Sequence, residues 1–99
     1  MIAGMSADFT KDLERIRAGI DGVDNGLVEL LARRRKLVLE LAKIKKALDL
    51  PIYDRRREDA LFERVKKWGA AHDLDEEFVE IVFRVIVMNS KAVQRHEAV

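Results

Sequence analysis

Apolar residues in the first half of the chain recur in alternating steps of three and four. They are Leu13, Ile16, Ile20, Val23, Leu27 and Leu30, then Leu37, Leu41, Ile44 and Leu48. That spacing is a heptad, with a at 13, 20, 27, 34, 41 and 48 and d at 16, 23, 30, 37 and 44. No proline interrupts it before Pro51. The pattern predicts one helix from about Asp8 to Lys46, on the order of 55 Å long at ~1.5 Å per residue. A single domain of this size has a radius of gyration of about 13 Å. The helix should therefore overhang a compact monomer, and its seam should need a second copy. Gly19, Gly22 and Gly26 weaken a helix interior by up to ~1 kcal/mol each relative to Ala. They read either as weak points offset by packing or as sites of close helix approach.

The rest of the chain predicts two shorter helices. Leu50-Pro51-Ile52-Tyr53 disfavours helix and marks a connection. Asp54 is a suitable N-cap for a helix from Arg55 to about Ala71, with Leu61, Phe62, Val65 and Trp68 at helical spacing. After a turn at His72-Asp73-Leu74, Asp75 caps a third helix, with Glu76 and Glu77 placed well for the helix dipole. Leu74 and Val79 are positioned as a hydrophobic staple. Phe78, Val79, Val82, Phe83, Ile86 and Val87 are expected to form its buried face. Continued by fours, that face meets Ser90 and Gln94, polar where apolar residues are due. Either the last turns fray into solvent or these two residues face a ligand. The expectation is an all-α protein with one domain over residues 1–99, of which 1–6 read as a disordered leader.

Composition narrows the function more than the fold. The chain holds 19 Lys+Arg against 18 Asp+Glu, so bulk charge gives no drive toward nucleic acid or an anionic membrane. Arg33-Arg34-Arg35-Lys36 and Arg55-Arg56-Arg57 could contact phosphates, but consecutive helix residues point about 100° apart and make no single basic stripe. Cysteine is absent, and the two histidines, His72 and His96, are too few for a histidine metal cage. No apolar run reaches the roughly 20 residues of a membrane span, and no signal peptide is visible. A cytoplasmic protein is the expectation.

The chemistry lies in cations set among apolar positions. Arg34 occupies an a position, where a cation is costly unless it is paired or faces a ligand. Arg17 and Lys45 fall at e, beside the seam, as a solvated flank or as ligand contacts. Together with Arg57 they would suit an anionic ligand bearing carboxylates. Ser90 and Gln94 would add neutral hydrogen bonds, and Glu58 would accept from a hydroxyl. The set contains no nucleophile and no metal cluster. An enzyme built from it would work by electrostatics and by holding a conformation.

These residues fall in motifs that, taken in order, resemble one family. They are Ile16-Arg17-x-x-Ile20-Asp21-x-x-Asp24, Leu30-Leu31-Ala32-x-Arg34-x-x-Leu37, Lys43-x-Lys45, Pro51-Ile52-Tyr53-Asp54-x-x-Arg57-Glu58 and Ser90-x-x-x-Gln94. The chain from Leu13 to Gln94 resembles the all-helical chorismate mutases, the class also found at the amino terminus of bifunctional enzymes of aromatic amino-acid synthesis. The resemblance implies three helices per chain intertwined as a six-helix homodimer, with chorismate as substrate and no cofactor or metal. It implies that Arg17 of the partner chain and Arg34 hold the substrate carboxylates, with Arg57 and Ser90 lining that side. Lys45 and Gln94 would donate to the ether oxygen, and Glu58 with the backbone at Asp54 would hold the ring hydroxyl. Leu41 and Val87 would be apolar walls. Arg17 and Arg34 are about 25 Å apart on one helix, too far to meet one small ligand unless an antiparallel partner brings Arg17 in. An isochorismate pyruvate-lyase on the same fold and a non-catalytic dimerisation module are the rival readings.

Overall fold

The computed structural model describes residues 9–98. Helix α1 spans Phe9–Ala47, α2 Arg55–Ala71 and α3 Glu76–Ala98, with no strand among the described residues. The expected leader at 1–6 lies outside them. Among the described residues no helix is long and apolar enough to cross a membrane. The chain divides into two compact units, and the division falls inside α1 between Arg34 and Arg35.

The first unit, over its described residues, is helix alone. Every large apolar side chain between Phe9 and Leu31 is at least 41% exposed. A heptad seam in this state has nothing of its own unit to pack on. Gly19, Gly22 and Gly26 each look onto open space, with nothing near enough to meet an added Cβ. In the single chain they are therefore not sites of close approach.

The second unit holds the core. Val38 and Ala42 from the end of α1, Val65 from α2, and Val79 and Val87 from α3 are buried. Val65 is the most deeply buried, at 1% exposure. Helices α2 and α3 pack against each other. Gly69 permits a close approach there, since a Cβ at that position would meet Val79 Cγ2 at 3.2 Å. Along this part of α1 the buried positions are Val38 and Ala42, while the seam residues Leu37, Leu41 and Ile44 stay exposed. The face turned to the unit's own core is thus beside the heptad seam, not on it.

The helix ends follow local chemistry. Asp54 Oδ1 accepts from the Arg57 backbone N–H at 3.1 Å, and Asp75 Oδ2 accepts from that of Phe78 at 3.1 Å. These are the N-caps expected from the sequence. At the other end of α1, the Leu50 N–H donates to Lys45 O and the Asp49 N–H to Lys46 O, with Asp49 at φ 55°. After α2 the same pair of bonds recurs, from Leu74 to Gly69 O and from Asp73 to Ala70 O, with Asp73 at φ 56°. Both are Schellman turns in which aspartate takes the left-handed position usually given to glycine. Leu48, counted in the seam by the heptad, therefore lies just past the helix.

Two expectations for α3 need correction. The helix is regular through Ser90 and Gln94, so the reading of frayed last turns does not hold. Its buried face is also narrower than expected. Phe78 and Val82 are exposed in the single chain, whereas Val79 and Val87 are buried and Phe83 and Ile86 partly so.

Candidate functional site

The second unit gathers several of the expected residues around the end of α1. Lys45 lies one turn beyond the buried Val38 and Ala42 face, and its position there is set by the same 3.6-residue period. Its Nζ donates to Gln94 Oε1 at 2.9 Å and to the Ile52 carbonyl at 2.8 Å. Gln94 is 6% exposed and is the buried polar side chain of the core. The Schellman turn at Asp49 reverses the chain so that the 50–53 connection passes Lys45, which brings the Ile52 carbonyl within reach. A cleft of about 330 Å³ opens at this point, with Lys45, Lys46, Asp49 and Gln94 as its polar lining and Ala42 and the 50–52 connection as the rest. That volume is within the range of small-molecule sites.

The Lys45–Gln94 contact constrains both side chains. An ammonium has three N–H donors, and these two bonds occupy two of them. The Gln94 carbonyl is taken by Lys45, so its NH₂ is the end left to donate. Both groups can thus offer N–H donors to an oxygen in the cleft. A preformed pair of donors in a partly desolvated site can stabilise developing negative charge with little reorganisation.

Glu58 sits in the first turn of α2, placed by the Asp54 cap, with its own N–H donating to Asp54 O at 3.0 Å. Its carboxylate is not exposed on its own but pairs with Lys91 of α3, Nζ to Oε2 at 2.9 Å. Ser90 Oγ donates back to the Ile86 carbonyl at 2.9 Å, one turn earlier. Arg57 is exposed. Val87 is buried in the core and Leu41 is exposed in the single chain, and neither lines this cleft. The expected residues therefore do not all meet in one place. Lys45 and Gln94 share the cleft, while Asp54 and Glu58 belong to the α2 N-terminus.

In the first unit Arg17 is exposed and Arg34 half-buried. Burial holds the Arg34 guanidinium below the ordinary arginine value, because desolvation disfavours its charged form. A cation held against that cost fits the sequence-based expectation that Arg34 is unusual for its heptad position. Among the described residues no group of His, Asp and Glu could hold a metal ion.

Sequence reasoning missed the Ile52 carbonyl, the Leu50 wall and Lys91. A backbone carbonyl carries no residue signature, so only the turn chemistry at 49–53 could have pointed to it. Lys91 does carry a signal, because it directly follows Ser90 on α3, but nothing in the sequence pairs it with Glu58.

Comparison with known proteins places the chain in a family. The profile of the family described as chorismate mutase type II matches residues 16–95. A chorismate mutase from Methanocaldococcus jannaschii is 35% identical over 83 residues, 84% of this chain and 84% of that protein. The bifunctional chorismate mutase/prephenate dehydratase of Escherichia coli K12 is 36% identical over 81% of this chain, which spans only 21% of that longer protein. A solved structure, a conserved hypothetical protein from Pyrococcus furiosus, aligns with a TM-score of 0.63 at 38% identity, covering 84% of this chain and 95% of that one. The chain belongs to the chorismate mutase type II family.

Proposed function

We propose that the chain is a chorismate mutase, an isomerase that converts chorismate to prephenate within aromatic amino-acid biosynthesis. The observation that carries this reading is the Lys45–Gln94 hydrogen bond at 2.9 Å beside a cleft of small-molecule size, in a chain of this family.

The reaction is an intramolecular [3,3] rearrangement. The ether C–O bond breaks while a C–C bond forms, and the ether oxygen gains negative charge on the way. Nothing leaves and nothing is added, so the protein needs to supply only a shape and a field. Lys45 and Gln94 donate to the ether oxygen and stabilise that charge in the transition state. Arg34, and Arg17 of the partner chain, hold the two carboxylates and select the compact chair-like conformer. Arg57 and Ser90 line the same side. Glu58, with the backbone at Asp54, accepts from the ring hydroxyl.

The protein works as a homodimer of six intertwined helices. Support comes from the heptad positions Leu13, Ile16, Ile20, Val23, Leu27 and Leu30, all exposed in the single chain and matched to a coiled seam. Distance along the helix gives the second argument. Arg17 and Arg34 lie about 25 Å apart on α1 at ~1.5 Å per residue, so one small ligand meets both only if Arg17 comes from another chain.

The test is turnover of chorismate by the pure protein, followed by its absorbance and by detection of prephenate, with isochorismate assayed in parallel. Chorismate should be consumed and prephenate should appear. Release of pyruvate from isochorismate without chorismate turnover would favour the lyase reaction instead. No turnover of either would leave a binding or dimerisation module.

A further inference from the structure

Lys91 belongs to none of the motifs above, yet it joins three parts of the second unit. Its Nζ lies 3.1 Å from Glu58 Oε1 and 2.9 Å from Oε2, so it bridges both carboxylate oxygens. The same ammonium sits 4.4 Å from the centre of the Tyr53 ring. One side chain on α3 thus holds the first turn of α2 and the connection that precedes it. The pair is partly sheltered, with side-chain exposures of 27% for Lys91 and 22% for Glu58. Such a pair is screened less than one in open solvent.

We infer that Lys91 is a positioning residue, which fixes the Glu58 carboxylate as the acceptor for the ring hydroxyl of the substrate. The inference rests on the reading of Glu58 as that acceptor. A glutamate has three side-chain torsions, and ordering it only when substrate arrives would weaken binding. Lys91 orders it beforehand. A carboxylate offers about four lone-pair sites. Lys91 takes one on each oxygen, which leaves acceptor capacity on both for a hydroxyl. The Tyr53 ring face keeps the ammonium from swinging away. Two donors on Glu58 and a ring beneath also make Lys91 a poor direct ligand for substrate.

A double-mutant cycle separates positioning from a general structural role. Lys91→Gln should lower kcat/KM for chorismate about tenfold, as expected for loss of one charge-assisted hydrogen bond. Most of the change should lie in KM, because a hydroxyl anchor acts on bound substrate and transition state alike. Helicity and melting temperature should stay near wild type, and Lys91→Arg should recover most of the loss through its own two-pronged pairing. In a Glu58→Gln background the Lys91→Gln change should cost almost nothing more. Near-native kcat/KM in Lys91→Gln would overturn the inference. So would an equal loss in both backgrounds, since Lys91 would then act independently of Glu58. If Lys91→Gln loses helicity, Lys91→Met keeps the apolar stem against Tyr53 and takes its place in the cycle. Unfolding of both variants would make Lys91 structural and would equally overturn the inference. Failure of the wild-type protein to turn over chorismate is a different result, and it would count against the proposed function itself.

Discussion

The stretches 9–34 and 35–98 use the same kinds of residue and reach different states. In 35–98, Val38, Ala42, Val65, Val79 and Val87 are buried and Gln94 is held by Lys45. In 9–34 no large apolar residue is buried, although the heptad there is the more regular of the two. Even within 35–98 the heptad residues Leu37, Leu41 and Ile44 remain exposed. What α1 buries there is the neighbouring face, Val38 and Ala42. A periodic apolar stripe therefore reports a face that wants covering. It does not report whether the same chain or another one does the covering.

The sharpest way to break this contrast is through Arg34, the last residue of the first unit. Arg34→Leu restores the heptad and removes a partly desolvated cation. Turnover of chorismate should be abolished, while thermal stability of the ligand-free protein stays unchanged or rises. A clear drop in melting temperature would show that the contacts Arg34 makes in the folded chain outweigh the cost of its desolvation. Next comes Lys45, on the buried face of the second unit. Lys45→Ala removes the cation proposed for the ether oxygen and should cost about 10²–10³ in kcat or more. Circular dichroism should show native helicity, and near-native turnover would remove Lys45 from the mechanism.

A smaller effect compares burial in the two stretches directly. Val65→Ala, at 1% exposure in the single chain, should destabilise by about 2 kcal/mol through lost transfer energy and a residual cavity. Val23→Ala changes the same atoms at a position 65% exposed in the single chain. If a second copy covers the seam, this variant should also lose stability, and its melting temperature should depend more steeply on protein concentration than that of wild type. Chemical or thermal unfolding across a range of concentrations reads both effects.

The sequence made the helices legible because their signals are local. Asp54 and Asp75 cap as their side chains suggest, and Pro51 keeps the connection out of helix. The turn at His72-Asp73-Leu74 was legible, but the left-handed backbone at Asp73 and at Asp49 was hidden, since aspartate is an uncommon occupant of positive φ and glycine is the residue that would announce it. The chemistry was legible where it depends on side-chain type. Gln94 stands out as a polar group where an apolar one is due, Lys45 lies beside the heptad seam, and the two, 49 residues apart in sequence, meet. It was not legible where it depends on backbone or on long-range pairing, as at the Ile52 carbonyl and the Lys91–Glu58 bridge. The width of the buried face on α3 was overestimated for a related reason. Phe78 and Val82 have the right period but no cover within the chain.

If each site is completed by Arg17 of a second copy, mixing two defective subunits should rebuild an intact one. Arg17→Ala and Arg34→Ala are prepared as separate proteins, each expected to be inactive, then unfolded together, refolded and assayed for chorismate turnover. In a mixed dimer with reciprocal contacts, one site receives both defects and the other receives neither. Random pairing makes half the dimers mixed, each with one intact site, so about one quarter of wild-type activity should return. If each site were built within one chain, every site would carry a defect and mixing would restore nothing. That outcome, with exchange of subunits verified by a size or mass tag, would contradict the shared-site account.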